Sequence, residues 1–499
     1  MASLEEIRAA RLHKLELLKK AGMEAYPSKV PRTFCLEDAR KSFEKYAKSG
    51  EEVSVTGRIM AIRGQGAILF VVLDDGKGKF QAVFKKDAFE AVGGEGNLQG
   101  LGLFKLFGDA ADIGDFISVT GTFFKTERGE ESILAKSWTM ASKSLQPLPE
   151  KWHGIQDADE RFRKRYLDFI MNPELRDIFV KKAKFWDVTR TFLRDRGFLE
   201  VETPTLEVTT GGAEATPFKT HHNDFDLPVY LRISVGELWQ KRLMAAGFQK
   251  TFEIGRVYRN EGSSPEHAQE FTNMEFYWAY ADYEDGMKLI TELYRTIAKE
   301  VFGTTKFTTG DFTFDLADEW TRIDYVKEIE KQTGVDILTA SEKDMKKKLD
   351  ALKVKYDGDN RERLTDTLWK YCRKNIAGPA FLINHPILVA PLAKEVKDEK
   401  GKLQAIVQMF QPIIAGSEVG RGYSELNDPI DQAARFAAQE KLLKAGDSEA
   451  MMSDNEFVEM LEHAMPPACG WGHGERLFAI LTGKTLRETQ LFPLMKPRE

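Results

Sequence analysis

The sequence predicts an α+β chain with a helical amino-terminal extension, a small β-barrel, and a larger domain that mixes sheet and helix. Three observations carry this reading. Residues 1–50 have helical periodicity, residues 51–145 switch to short strand-like segments, and a linker at 146–165 leads into long amphipathic stretches and strands over 166–499. The chain has 499 residues, and at roughly 150 residues per domain it holds about three such units. It is 42% hydrophobic and 30% charged, which is ordinary for a folded globular protein and excludes disorder. No apolar run approaches the roughly 18–20 residues that span a bilayer, and the charged start Met1-Ala-Ser-Leu-Glu-Glu lacks the core of a secretory signal. A cytoplasmic protein is therefore expected. The three cysteines, Cys35, Cys372 and Cys469, form no close pair, which suits a reducing compartment and excludes a disulfide framework. The net charge of −6 excludes binding to nucleic acid by bulk charge alone and leaves room for a local basic patch.

In the extension, Leu4, Ile7, Leu15 and Leu18 follow a helical period among Arg8, Arg11, Lys14, Lys19 and Lys20. This basic surface reads either as a solvated helix face or as a helix laid along a phosphate backbone. Strand propensity then marks Val53–Ile59, Ile68–Leu73, Phe80–Phe84 and Phe116–Phe123, with the turn cluster Asp74-Asp-Gly-Lys-Gly-Lys79 between the second and third. About five strands in so short a span predict a barrel of the oligonucleotide-binding type, whose surface aromatic, Arg and Gln side chains would stack on and read single-stranded bases.

After the linker, with its Leu145-Gln-Pro-Leu-Pro-Glu150, Asn172-Pro173 predicts a capped helix start. Leu175, Ile178, Phe179, Phe185, Trp186, Phe192 and Leu193 hold one face of that helix up to Gly197. Strands and loops follow to about residue 320. The lysine-rich stretch from Glu342 to Lys374, within an insertion around 325–375, reads as solvated helices rather than a functional basic patch.

The most informative segment runs from Phe252-Glu-Ile-Gly-Arg-Val-Tyr-Arg-Asn-Glu-Gly262 to His267-Ala-Gln-Glu-Phe-Thr-Asn-Met-Glu-Phe-Tyr277. It reads as a strand, a polar loop and a returning strand. Arg259 and Glu261, two apart, would share a face on a strand, with Phe271, Glu275 and Tyr277 on the opposing one. Such a set suits either a nucleotide, with Arg259 on a phosphate and Phe271 on a base, or a salt-bridged hairpin.

Arg259-Asn-Glu261 with His267 and Phe271 resembles motif 2 of the class II aminoacyl-tRNA synthetases. The long helix with Gly197-Phe-Leu-Glu-Val-Glu-Thr-Pro204 resembles motif 1, and Gly470-Trp-Gly-His-Gly-Glu-Arg476 resembles motif 3. Within the class the chain is most similar to the lysyl-tRNA synthetases. Gly211-Gly-Ala-Glu-Ala-Thr-Pro-Phe218 with His221-His-Asn223, Lys151-Trp-His-Gly-Ile155, Arg165-Tyr-Leu-Asp168 and Ser424-Glu-Leu-Asn-Asp428 carry that likeness. The resemblance implies an OB-fold anticodon-binding domain followed by a catalytic domain with an antiparallel sheet flanked by helices. It further implies ATP and Mg²⁺, the substrates L-lysine and tRNA(Lys), and a homodimer formed through motif 1.

Residue by residue, the likeness places Glu425 and Tyr277 on the ε-ammonium of lysine. Gly212, Glu237 and Glu275 fall around its α-amino end, and Arg259 on its carboxylate and the α-phosphate. Arg259 and Arg476 would straddle the triphosphate, with Glu261, His267 and Phe271 assisting at the phosphates and adenine, and Glu418 would be the metal carboxylate. Arg63, Phe70, Gln81 and Glu130 would read a U-rich anticodon, although Phe70 by itself also reads as a core aromatic. The acidic pocket suits a guest with two ammonium groups, because a desolvated cation is costly without such partners. The reaction implied is attack of the lysine carboxylate on the α-phosphate, release of pyrophosphate, and transfer to the terminal ribose of tRNA.

The chain departs from the family pattern at Arg421 (usually Asn), Gln411 (usually a metal carboxylate) and Met409 (usually Arg). It also departs after His267, where Asn-Pro is common, and in motif 3, which is one residue shorter and reads Gly-Glu-Arg. The alternatives are a divergent paralogue, a non-catalytic synthetase-like module that binds tRNA or lysine, and a protein-lysylating relative. Intact Arg259 and Arg476 argue against the module, and the barrel against protein lysylation. Cys469 reads as a small core residue and His221-His222 as a hydrogen-bonding loop.

Overall fold

A computed structural model describes residues 3–90, 101–149, 155–213, 215–262, 264–356, 358–446 and 450–498. Lys151–Gly154 and Glu214, which belong to two of the quoted family motifs, lie outside them. The chain divides into two compact units, Met1–Pro173 and Glu174–Glu499.

The first unit opens with helix α1 (Leu4–Lys20). Ser3 caps it, accepting from the backbone N–H of Glu6 while the Glu6 carboxylate accepts from that of Ser3. Strands β1 (Val53–Gln65), β2 (Ile68–Asp74), β3 (Lys79–Lys85), β4 (Phe116–Lys125) and β5 (Glu131–Ser142) close into a barrel in the order β1-β2-β3-β5-β4. The two-residue period explains its core. Val53, Val55, Val71, Leu73, Ile117, Val119, Ile133 and Ala135 point inward and are buried. Two of the basic residues of α1 serve this barrel and so fit neither reading given above. Arg11 donates to the carbonyls of Ile113, Ser144 and Gln146, and Lys14 pairs with Asp112 at 2.6 Å. Two short helices follow, Ala158–Arg163 within the stretch that the sequence reads as linker and Arg165–Met171 at its end.

The second unit begins with helix α2 (Leu175–Arg194), two residues later than Asn172-Pro173 predicts. Asn172 instead ends the preceding helix, its N–H donating to the carbonyl of Asp168. The sheet that carries the site combines β6 (Leu199–Glu200), β7 (Lys250–Tyr258), β8 (Glu270–Ala279), β9 (Thr321–Asp324), β10 (Ala380–Pro386), β11 (Leu403–Ile414), β12 (Arg421–Ser424) and β13 (Ala468–Gly474). Their order is β9-β10-β11-β12-β13-β8-β7-β6, antiparallel except for the two outermost pairs. Helix α3 (Glu237–Ala245) precedes β7, α4 (Tyr283–Ile297) follows β8, and α5 (Arg361–Arg373) belongs to the insertion. Phe185, Phe192, Phe276, Ile290, Leu293, Phe410 and Trp471 form the main core on one side of the sheet. The insertion has its own core, in which Met345, Leu349, Leu364, Leu368 and Trp369 pack on Tyr325, Ile329 and Leu382.

Candidate active site

The other side of the sheet holds a cavity of about 400 Å³ lined by residues from 212 to 486. Its floor is built by strand alternation. On β8, Phe271, Asn273, Glu275 and Tyr277 occur at every second position, so all four project to one face. On the neighbouring β13 the register sets Gly474 opposite Asn273, Gly472 opposite Glu275, and Gly470 opposite Tyr277. A Cβ at Gly470 would lie 2.0 Å from Glu425 Oε1 and 2.6 Å from the Tyr277 ring, and one at Gly472 2.9 Å from Glu275. The glycine alternation of motif 3 thus leaves room for the functional side chains beside it, a reason that its spacing alone does not give. Gly212, at φ +86°, is held for a similar reason, since a Cβ there would meet Ser234 Oγ at 2.5 Å and the Glu237 side chain at 2.6 Å.

One end of the cavity is acidic and buried. Glu275 accepts from the Val235 N–H at 2.7 Å and from Asn273 Nδ2 at 2.9 Å, and Tyr277 Oη donates to its other oxygen at 3.4 Å. Glu237 accepts from Tyr423 Oη and from Lys241 Nζ at 2.8 Å. Glu425 lies 2.6 Å from the same ammonium. Neither Glu425 oxygen has a hydrogen-bond partner of good geometry within the protein, although both are buried. Burial pushes the Glu275 and Glu425 carboxyls up to about 8, with repulsion from Glu237 adding to it. The Tyr277 hydroxyl is held well above its ordinary range, again chiefly by burial.

The other end is cationic and more open. Strand β7 stops at Tyr258, because the Asn260 N–H turns aside to the carbonyl of Thr216 at 2.7 Å. Arg259 and Glu261 therefore stand beyond the strand rather than on one face of it, as a simple hairpin predicts. Arg259 donates to the Ile233 carbonyl at 3.4 Å, and its guanidinium lies 5.4 Å from the centre of the Phe271 ring. Arg476, at the start of helix α6 (Arg476–Thr482), donates to the Glu418 carbonyl at 2.9 Å and lies 3.3 Å from His267 Nε2. Partial burial, then the charge of Arg476, pushes His267 down to about 4, so its ring is neutral at pH 7. Its Nδ1 pairs with Ser264 Oγ at 2.7 Å. The carboxylate of Glu418 accepts from Trp369 Nε1 and, at 3.2 Å, from Gln411 Nε2, while Gln411 Oε1 pairs with His385 at 2.8 Å.

Every residue to which the resemblance gives a catalytic, substrate-binding, nucleotide-binding or metal-binding role lines this one cavity: Gly212, Glu237, Arg259, Glu261, His267, Phe271, Glu275, Tyr277, Glu418, Glu425 and Arg476. Sequence reasoning missed Asn273, Tyr423 and a face of α5. Arg363, Asp366, Lys370 and Arg373 also line the cavity, so part of the insertion read as merely solvated borders the site. Their spacing of three and four residues was a visible signal of one helix face. Tyr423 and Asn273 lie two residues from Glu425 and Glu275, a strand-period signal.

The remaining candidates are accounted for locally. Arg165 and Asp168 pair at 3.2 Å within the first unit, Asp428 caps the helix Pro429–Lys444, and Cys469 is buried. His221 pairs with Asp226 and His222 accepts from the Phe225 N–H, local bonds as expected but made from the strand Lys219–His222 rather than from a loop. Among the described residues no three His, Cys, Asp or Glu side chains are grouped to hold a metal ion. On the barrel, Arg63 pairs in register with Phe70, and Val72 with Gln81, so Arg63, Phe70 and Gln81 share a face opposite the buried Val71 and Leu73. Phe70 is half-buried there and is not a core aromatic. Gln81 donates to Ser132 Oγ, which donates to the carbonyl of the exposed Glu130.

A class II sheet with paired arginines at one end, and a barrel of this strand order, define a synthetase architecture. Residues 157–496 match the family described as tRNA synthetases class II (D, K and N), and residues 53–141 match the OB-fold nucleic acid binding domain. The chain belongs to the class II tRNA synthetases. More narrowly, it is similar over its full length to proteins named lysine–tRNA ligase. That of Roseiflexus sp. (strain RS-1) is 41% identical over 99% of this chain and 100% of the relative. Those of Thermotoga maritima and Carboxydothermus hydrogenoformans are 40% and 41% identical, over 99% of this chain and 97% and 99% of theirs.

Proposed function

We propose that the chain is a lysine–tRNA ligase, which activates L-lysine with ATP and transfers it to the 3′ end of tRNA(Lys). The observation that carries the amino-acid choice is the acidic end of the cavity. There Glu237, Glu275 and Glu425 converge, and Glu425 Oε1 faces the space over Gly470. The buried Glu425 Oε1, which has no hydrogen-bond partner within the protein, fits an arriving ammonium, whereas an anionic side chain would meet the repulsion of three carboxylates.

In this reading Glu425 and Tyr277 receive the ε-ammonium, while Glu237, Glu275 and the close backbone at Gly212 surround the α-amino group. Arg259 orients the carboxylate toward the α-phosphate. Arg259 and Arg476 neutralise charge that develops as the α-phosphorus is attacked and pyrophosphate leaves, and positioning of this kind replaces a protein nucleophile. Phe271 stacks on adenine, supported by the cationic face of Arg259. Glu261 accepts hydrogen bonds around the nucleotide, and the neutral His267 accepts or donates them without adding charge. Glu418 fits a Mg²⁺ ion carried in by the triphosphate, because each carboxylate oxygen keeps a lone pair beyond its present bond. That ion would supply further charge neutralisation at the phosphates. Gln411 turns its amide N–H toward Glu418 and its oxygen toward His385, so it presents a donor rather than a ligand atom to an ion at Glu418.

Arg63, Phe70, Gln81 and Glu130 form the anticodon-reading face, with Phe70 as a stacking platform. The working form is a cytoplasmic homodimer. Val180 on α2, Leu199 on β6, and Leu206 and Val208 beyond it are each at least half exposed, an apolar run that a second copy would cover. Lysine-dependent ATP–pyrophosphate exchange by the purified protein tests the assignment. Absence of exchange with lysine, or preference for aspartate or asparagine, overturns it. Sedimentation as a monomer at micromolar concentration overturns the dimer.

A further inference from the structure

The wall of the acidic pocket already contains one lysine ammonium. Lys241 lies four residues after Glu237 on α3, so the two side chains share a helix face. Its Nζ stands 2.8 Å from Glu237 and 2.6 Å from Glu425, and the residue is 1% exposed. The rings of Tyr277, Tyr423 and Phe457 surround it at 5.9, 5.5 and 5.8 Å from their centres. Lys241 is not among the residues that line the cavity, so it sits behind the carboxylates rather than in the guest's place.

Resting on the lysine reading of this site, we propose that Lys241 is a specificity-determining positioning residue, the fixed counter-ion that holds Glu237 and Glu425 in their receiving orientation. The reasoning is one of charge and geometry. Glu237, Glu275 and Glu425 carry three negative charges when ionised, and Lys241 returns one positive. The remaining two match the α- and ε-ammonium groups of free lysine, whose carboxylate is directed to Arg259. Without Lys241, three carboxylates would share a buried space with no fixed cation, so Glu425 would hold its proton more tightly and yield it less readily to an arriving ammonium. A Glu425 that keeps its proton does not pair with an ammonium, and it is free to rotate away from Gly470. The same fixed cation penalises a guest with a third positive charge.

The test is steady-state ATP–pyrophosphate exchange by Lys241→Met, which keeps length and bulk without charge, and by Lys241→Gln should the first variant fail to fold. The expected result is a rise in KM for lysine of at least tenfold while KM for ATP stays within twofold. In Lys241→Ala, added propylammonium should lower the lysine KM again in a saturable way, and the neutral 1-propanol should not. A wild-type lysine KM in the variant overturns the proposal. So does an equal loss in kcat and in both KM values with no amine rescue, which marks a purely structural residue. Failure of the wild-type protein to use lysine is a separate outcome, and it removes the functional reading itself.

Discussion

The two ends of the cavity face the same problem, charge held away from water, and solve it in opposite ways. At the acidic end, burial raises the Glu275 and Glu425 carboxyls to about 8, so part of the negative charge appears only when a cation arrives. At the nucleotide end, burial lowers Arg259 and Arg476 from their ordinary value, but a guanidinium starts so high that both remain charged at pH 7. The recognition end therefore has a charge that responds to its guest, and the reaction end has a permanent one. Specificity benefits from the first, because a neutral guest does not draw out the carboxylates. Rate benefits from the second, because the phosphate charge is met without reorganisation.

The largest effect is expected where the permanent charge is removed. Arg476→Ala should lower the rate of pyrophosphate exchange by about 10²–10³-fold, with lysine affinity measured by calorimetry little changed. If lysine binding fell as much as exchange, the two ends would not be separable. Glu425→Gln should do the reverse, weakening lysine binding by about 1.5–3 kcal/mol, as expected for a lost charged hydrogen bond. Its KM for ATP, from the same exchange assay, should hold. Gly470→Ala reaches the same end by shape alone, since the added methyl meets Glu425 Oε1, and it should raise the lysine KM on the same order as Glu425→Gln.

A smaller change is expected with pH. Because the folded-state values of Glu275 and Glu425 lie above the usual 4.5, these groups are protonated at low pH and must lose protons to receive an ammonium. Lysine KM should fall as pH rises toward about 8, with protons released on binding, as calorimetry in buffers of different ionisation enthalpy would show. The stability sign is opposite. The folded, ligand-free protein holds more protons than the unfolded chain between about 4.5 and 8, so its stability from these groups declines across that window. A thermal scan without lysine that rises steadily with pH there would contradict the assignment. Phe70→Ala provides the control on the comparison. It should weaken tRNA charging by about 1–3 kcal/mol and leave pyrophosphate exchange alone, since Phe70 belongs to the barrel. A loss of exchange would mark it as structural.

How much of this was legible in advance differs by element. The barrel strands were readable because a two-residue period with β-branched and aromatic residues has few other outcomes. The start of α2 was misplaced by two residues because Asn172 closes the preceding helix, and a capping residue by itself does not say which helix it serves. The site residues were legible as motifs. Arg259 and Glu261 were nevertheless set on a strand face that they do not occupy, because the long-range bond from Asn260 to Thr216 bends the chain there. The cavity-facing side of α5 was read as solvent, since helical periodicity identifies a face without saying what lies opposite.

The sequence by itself determined the order of domains, the alternation that aims Phe271, Glu275 and Tyr277 one way, and the glycines of Gly470-Trp-Gly-His-Gly474. These are local properties, set by backbone period and residue type. Only the tertiary structure decided that each glycine stands opposite a functional side chain, that Gln411 presents an amide N–H to Glu418, and that Lys241 joins Glu237 to Glu425. Those facts depend on strand register and on helix placement across long sequence separations. Burial, which shifts the carboxylates and histidines of the site, is a property of the packed molecule and of no single segment.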